Sequence, residues 1–335
     1  MNESAYFQGK FVELIKSRLN EEQNLSQELQ DILHISRDGA YRRIRCSTPF
    51  TLEEVVKLAL HFQLSVDDVF KNISNQFQFD FFSYDFLPEL HLYFEEIIED
   101  LRNMKNRTNL KMIYATKDIP MFHFFNFPDL AAFKMFFWEK TIYDQPEYKD
   151  LTFQLDLIDR SIIEQGIELM QQYYDISSIE IWWDEGIKST IKPIIYYSET
   201  KVIQDKDMAL YLLSQVEKLV LHLQDIAAKG RKFCLGAEEL PEQYNMKLYL
   251  DEITLPDNTI LVTSEEKSTV YLIQNTIDYL VTSNTEFCEH TQRAMDNLMR
   301  KSALISIDNE KQRKKFFFDM VKEVELAKER IETLY

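Results

Sequence analysis

Apolar positions over residues 1–72 recur at the spacing of short helices. Phe11, Leu14, Ile15, Arg18 and Leu19 mark one helical stripe. A second helix is predicted to open at Leu25-Ser26, with Ser26 as N-cap and Leu29, Ile32 and Leu33 on one face. After the tight connection Ile35-Ser36, Ser36 caps a third helix running to about Arg45. Thr51-Leu52-Glu53-Glu54 is a capping-box pattern and starts a fourth, with Leu52, Val55, Val56, Leu58, Ala59 and Phe62 expected to face the core. A short fifth is expected over Ser65–Phe70.

The pattern then changes. Residues 73–87 hold Phe77, Phe79 and Phe81 at period two and read as an aromatic linker or an edge strand. Beyond them, helical and strand-like stretches are mixed. A helix is expected from about Pro88 to Lys105, strands at Lys111–Ala115, Asp118–Phe125 and Ser178–Trp183, and helices at Asp129–Tyr143 and Leu155–Tyr174. A helix containing Pro193 follows, then an amphipathic one over Asp205–Ala228 that stops near Gly230. Three strand-like runs, Met246–Ile253, Thr259–Thr263 and Ser268–Ile273, suggest an antiparallel meander, and two helices, Thr285–Lys301 and Glu310–Leu334, finish the chain. The fold class expected is an all-α five-helix domain over 1–72 followed by a larger α+β domain over 88–335.

Composition narrows the functions open to this fold. The 335 residues include only six glycines, all isolated, so the glycine-rich turns that cradle phosphates in dinucleotide folds and nucleotidases are missing. Cys46, Cys234 and Cys288 form no CxxC pair, and the six histidines show no HExxH spacing, so neither a disulfide framework nor a metal centre is expected. No cofactor is implied. The N-terminal residues do not resemble a signal peptide, and no run approaches the 18 apolar residues of a membrane helix. A cytoplasmic protein without a membrane partner is the expectation.

Charge is distributed unevenly. The whole chain carries −18, yet residues 1–75 hold nine Lys/Arg against eleven Asp/Glu. Within them, Arg37, Arg42, Arg43 and Arg45 face only Asp38 over residues 36–46. With Ala40 and Ile44 turned inward, Arg37, Asp38, Tyr41, Arg42 and Arg45 fall on the outward side of the third helix. An arginine fork there can meet guanine edges or clamp a phosphate, and Ser36 with the helix N-terminus can hold another phosphate.

The stretch from Leu25 to Phe70 resembles the lambda-repressor-like (XRE) helix-turn-helix superfamily. More narrowly it is similar to BetR-type helix-turn-helix domains, through Ile35, Ser36, Asp38, Tyr41, Arg42, Arg43, Ile44 and Arg45, followed by Leu52-Glu53-Glu54. Gly39 stands where a serine is usual, Cys46 replaces the glycine after the recognition helix, and His34 replaces a glycine of the turn. The resemblance implies a transcriptional regulator that docks its third helix in the major groove of double-stranded DNA. Arg37, Asp38 and Arg42 are then expected at base edges, and Ser36, Tyr41, Arg43 and Arg45 at phosphates or in setting the register. Helix-turn-helix geometry further implies a homodimer on two half-sites.

The larger domain carries no recognisable enzyme motif. Asp118 with His123, the pair Asp184-Glu185, and Glu164 with Glu168 each lack the neighbours that catalysis or metal binding needs. Its aromatic richness suggests a core, or a pocket lined by Phe125, Trp138, Trp182 or Trp183 for a small effector. Two rival functions remain at this level: a protein-interaction scaffold, and an effector enzyme whose active site the sequence does not reveal.

Overall fold

The computed structural model describes residues 3–19, 23–62, 64, 77–83, 90–243, 245–253 and 258–335. They fall into two compact units, Met1–Gln78 and Phe79–Tyr335.

The first unit is helical: α1 (Glu3–Ser17), α2 (Leu25–Leu33), α3 (Arg37–Ile44) and α4 (Leu52–His61). The segment Ser65–Phe70, expected as a fifth helix, lies outside the described residues. Phe11 and Ile15 of α1, Leu29 of α2, Ala40 of α3, Leu58 of α4 and Leu64 build one small core. Local chemistry sets the helix ends. Asn24, not Ser26, caps α2: its side chain accepts from the Ser26 and Gln27 N–H groups. Ser36 caps α3 and Thr51 caps α4, the latter with the full reciprocal box to Glu54. The core face of α4 is narrower than the apolar pattern suggested. Leu58 and Ala59 are buried, whereas Leu52 is 81% and Val56 46% exposed. Six apolar positions span too wide an arc for one helix to bury against a core this small.

The second unit is built on one eight-stranded mixed sheet. Its strands are β1 (Asp80–Phe82), β2 (Lys111–Thr116), β3 (Ser178–Trp183), β4 (Met246–Asp251), β5 (Thr259–Thr263), β6 (Ser268–Gln274), β7 (Asp278–Thr282) and β8 (Ala303–Leu304). The order across the sheet is β1-β7-β6-β5-β2-β3-β4-β8. β2, β3 and β4 run parallel at its centre. The meander is therefore shifted from its expected place: it is β5-β6-β7, while β4 crosses to the far side of β3. Long helical connections return the chain for each parallel neighbour: α6 (Pro128–Phe137) and α7 (Arg160–Tyr174) between β2 and β3, and α8 (Lys188–Glu199) and α9 (Lys206–Lys229) between β3 and β4.

Alternation along the strands divides two cores. Met112, Tyr114 and Trp182 join a large core with α5 (Leu90–Lys105), α6, α7, α8, α9 and the last helix, α11 (Glu310–Leu334). Ile113, Ala115 and Ile181 face the other way, toward Cys288 and Met295 of α10 (Thr285–Lys301).

Two local readings are corrected. Asp118–Phe125 is not a strand; Met121–Asn126 is a 3-10 helix after Pro120. Phe122, Phe124 and Phe125 are all buried, so both sides of this turn are wrapped by core and no sheet face exists. The helix expected to Tyr143 ends at Phe137 and widens into a π turn over Trp138–Ile142, closed by the Tyr143 N–H donating to the Trp138 carbonyl at 2.9 Å.

Candidate nucleic-acid interface

α2 and α3 meet across a short turn in which His34 has φ +54° and Ser36 is extended. The left-handed residue reverses the chain, and the Gly39 N–H then donates to Ser36 Oγ at 3.2 Å to start α3. Ala40 is fully buried against α2, which turns the opposite side of α3 outward. On that side Arg37, Asp38, Tyr41, Arg42 and Arg45 are all exposed.

These side chains are organised. The guanidinium carbons of Arg37 and Arg45 lie 5.7 and 5.9 Å from the Tyr41 ring centroid, one ring held between two cations. The Arg37 guanidinium, by hydrogen bond and then by charge, holds the Tyr41 phenol below its usual pKa. Arg42 leans on Asp38 one turn back at 3.1 Å, an exposed pair that a phosphate or a base edge can outcompete. Beside this face, Lys16, Asn24, Ser26, Tyr41 and Ile44 line a groove.

Arg43, expected at a phosphate or in setting the register, is half-buried and makes its contacts within the unit. Its Nε and Nη2 donate to the two carboxylate oxygens of Glu54 at 3.0 and 2.7 Å, and Nη1 donates to the Gly39 carbonyl at 3.2 Å. Its fork is already filled. Burial pushes the Glu54 carboxyl up, but the hydrogen bonds from Arg43 and Thr51 with the Arg43 and Lys57 charges outweigh it, and the net pKa is lowered. The clamp ties the last turn of α3 to the capped first turn of α4.

Gln8 is a second anchor. From α1 its Nε2 donates to the carbonyls of Arg43 and Thr48, each at 2.8 Å, and its Oε1 accepts from the Phe50 N–H at 3.1 Å. It thereby adds a second donor to the Arg43 carbonyl at the end of α3, which the Cys46 N–H also reaches at 3.0 Å. Cys46, just past the helix, has φ +58°, the left-handed geometry that explains why a glycine is usual there. Nothing in the spacing of polar residues marks Gln8.

Residues 8–81 match the BetR domain. A BetR domain is a helix-turn-helix type of DNA-binding domain. The match spans just over a fifth of the chain, taking in most of α1, all of α2, α3 and α4, and ending within β1. No curated relative and no solved structure matches the chain. The exposed arginine face, its Ser36 cap, the Arg43–Glu54 clamp and the Gln8 anchor all lie inside the BetR domain.

The aromatic residues proposed for an effector pocket are dispersed in the second unit. A cavity of about 190 Å³ lies between β2, β5, β6 and α5, and Trp138 lines it. Phe125 packs instead edge-on to Phe94 and against α7, where a Cβ on Gly166 would stand 2.0 Å from its ring. Trp182 donates through Nε1 to Glu180 at 2.8 Å, and Trp183 is half-buried at the end of β3. Glu180 also receives Tyr173 Oη at 2.6 Å and His123 Nε2 at 3.2 Å. Burial alone would raise Glu180, but His123, then Lys232 and Tyr173, hold it below the usual carboxylate range. His123 and Glu180 have no exposed surface, so this network fastens α7 and the 3-10 turn to β3. Among the described residues no helix is long and apolar enough to cross a membrane.

Proposed function

We propose that the chain is a sequence-specific DNA-binding transcriptional regulator of the lambda-repressor-like kind, with α3 lying in the major groove. The observation that carries this reading is the outward face of α3 within the BetR domain: three exposed arginines and Tyr41 on a capped, buttressed helix. Arg37, Asp38 and Arg42 address base edges. Ser36, Tyr41 and Arg45 address phosphates, while Arg43 holds the helix in place. Two copies of the chain occupy two half-sites, because one short helix reads few base pairs. The second unit serves small-molecule sensing, oligomerisation or both, and its acidity limits nonspecific DNA binding by repelling phosphates.

The test is fluorescence anisotropy with fragments from the region upstream of the protein's own gene, at two salt concentrations. Arg37→Ala and Arg42→Ala should each cost about 1–3 kcal/mol of specific binding, roughly 5- to 150-fold, and relax sequence preference. Binding that is indifferent to sequence and unchanged in the double variant would overturn the reading. Sedimentation showing a monomer with and without DNA would remove the dimer.

A further inference from the structure

The cavity in the second unit is asymmetric in chemistry. Along the sheet, Met112 of β2 stands opposite Val262 of β5, and Tyr114 stands opposite Ile260, so one end is walled by aliphatic and aromatic groups. Leu101 and Met104 of α5 close that end, with Asp100 beside them, its carboxyl raised above the usual range by burial. The other end lies where β2 finishes, the carboxyl edge of a parallel strand at which α/β sheets commonly seat ligands. There the chain turns polar. The Asp118 N–H donates to Thr116 Oγ1 at 3.1 Å, and Asn258 Oδ1 accepts from the Lys117 N–H at 2.8 Å, which holds the loop after β2 in place.

Two opposite charges, both half-buried, face the cavity at this end. Lys134 projects from α6, its Nζ 4.4 Å from the Phe124 ring centroid and 5.7 Å from that of Trp138. Among the described residues no oxygen accepts a hydrogen bond from Lys134 Nζ, and none donates to the Asp118 carboxylate; they form no ion pair with each other. Burial pulls the Lys134 ammonium below its usual pKa, with Asp118 opposing. Beyond the two aromatic rings beside Lys134, these half-buried groups face the cavity, so a ligand carrying both opposite charges can pair with each of them.

We propose that this cavity binds a hydrophobic α-amino acid, its carboxylate on Lys134, its ammonium on Asp118 and its side chain in the apolar end. A zwitterionic head neutralises both unpaired groups at once, where a simple acid or a simple amine would leave one of them facing a like charge. The size agrees: about 190 Å³ exceeds the roughly 150 Å³ that accommodates a benzene ring, so a side chain as large as that of leucine or phenylalanine fits. This assignment rests on the small-molecule-sensing part of the proposed function and names its ligand class.

The experiment is titration calorimetry on the full chain with L-phenylalanine, 3-phenylpropionate, which lacks the ammonium, and phenethylamine, which lacks the carboxylate. L-Phenylalanine is expected to bind at least about tenfold more tightly than either, since each charge-assisted pair contributes on that order. Lys134→Met, which keeps the stem over Phe124, should reduce L-phenylalanine to the affinity of phenethylamine and leave phenethylamine unchanged. Asp118→Asn should reduce it to that of 3-phenylpropionate. Ile97→Phe, which fills the apolar end, should abolish binding of all three while circular dichroism reports a folded chain. No binding of L-phenylalanine to the folded protein, equal affinity for all three compounds, or indifference to both charge variants would overturn the assignment. Anisotropy with and without L-phenylalanine reads the regulator separately. DNA binding without amino-acid binding removes the pocket alone, and amino-acid binding without DNA binding removes the regulator alone.

Discussion

Replacing Glu54 with alanine should loosen α3 without touching a residue of the outward face proposed to meet DNA. Glu54 accepts twice from the Arg43 fork, at 3.0 and 2.7 Å, and once from the Thr51 N–H at 3.0 Å. Charge-assisted hydrogen bonds of this kind contribute about 1.5–3 kcal/mol together with their geometry, and half of a capping box adds up to about 1 kcal/mol. Both side chains are only 15% exposed, so solvent screening removes part of this but not most of it. A net loss of about 2–3 kcal/mol follows, which should accelerate amide exchange in α3 and the first turn of α4 by about 30- to 140-fold. Hydrogen exchange reads this locally, so the second unit does not mask it. The effect also has a pH signature. Folding lowers the Glu54 pKa, so its stabilisation is complete above the ordinary carboxylate value of about 4.3 and fades as pH falls through the lower folded value. The difference between wild type and Glu54→Ala should therefore shrink in acid. Exchange changed by less than about threefold, or strict additivity with Arg43→Met in a double-mutant cycle, would refute the clamp.

Other consequences are as direct. His34→Gly removes a side chain from a left-handed position and should raise the stability of the first unit by about 1 kcal/mol, read as slower exchange in α2 and α3. Gly166→Ala forces a Cβ to within 2.0 Å of the Phe125 ring and should lower the melting temperature of the second unit, at a cost of about 1–3 kcal/mol. Burial holds His222 at a pKa of about 4, its Nε2 hydrogen-bonded to the Phe233 carbonyl at 3.0 Å. The unfolded chain takes up that proton below about 6.5, so acid favours unfolding, and stability should fall between pH 6.5 and 4 and stay flat above. In His222→Gln that part of the pH dependence, on the order of 3 kcal/mol, should vanish from denaturant melts taken across this range.

The features of the molecule legible in its sequence are those whose cause is local. The Ser36 cap and the Thr51–Glu54 box announce helix starts because the capping side chain sits within three residues of the N–H it serves. The outward arginine face follows from Ala40 and the helical period. What escaped depends on distant partners. Met246–Asp251 is equally apolar whether it pairs parallel or antiparallel, so its place beside β3 had no local signal. β7 (Asp278–Thr282) is five residues long, and its apolar run Tyr279-Leu280-Val281 is too short to set a period. Arg43 finds Glu54 eleven positions on, and Gln8 reaches Arg43 and Phe50 across 35 and 42. Lys134 and Asp118 share a cavity because α6 folds back over the end of β2, an event no spacing rule describes.

The pairing of β1 with β7 bears on how the protein is made. Phe81 lies opposite Leu280, so the first strand of the sheet finds its partner some two hundred residues later in the chain. At about 5–20 residues per second, synthesis of the intervening stretch takes roughly 10–40 s. The helices around Leu29 and Ala40 close over much shorter distances and can form long before that moment. During translation the helices of the first unit can thus pack while the sheet still waits, with β1 as an unpaired edge. On the proposed reading, the nascent chain can engage DNA before the sheet that walls the cavity has closed.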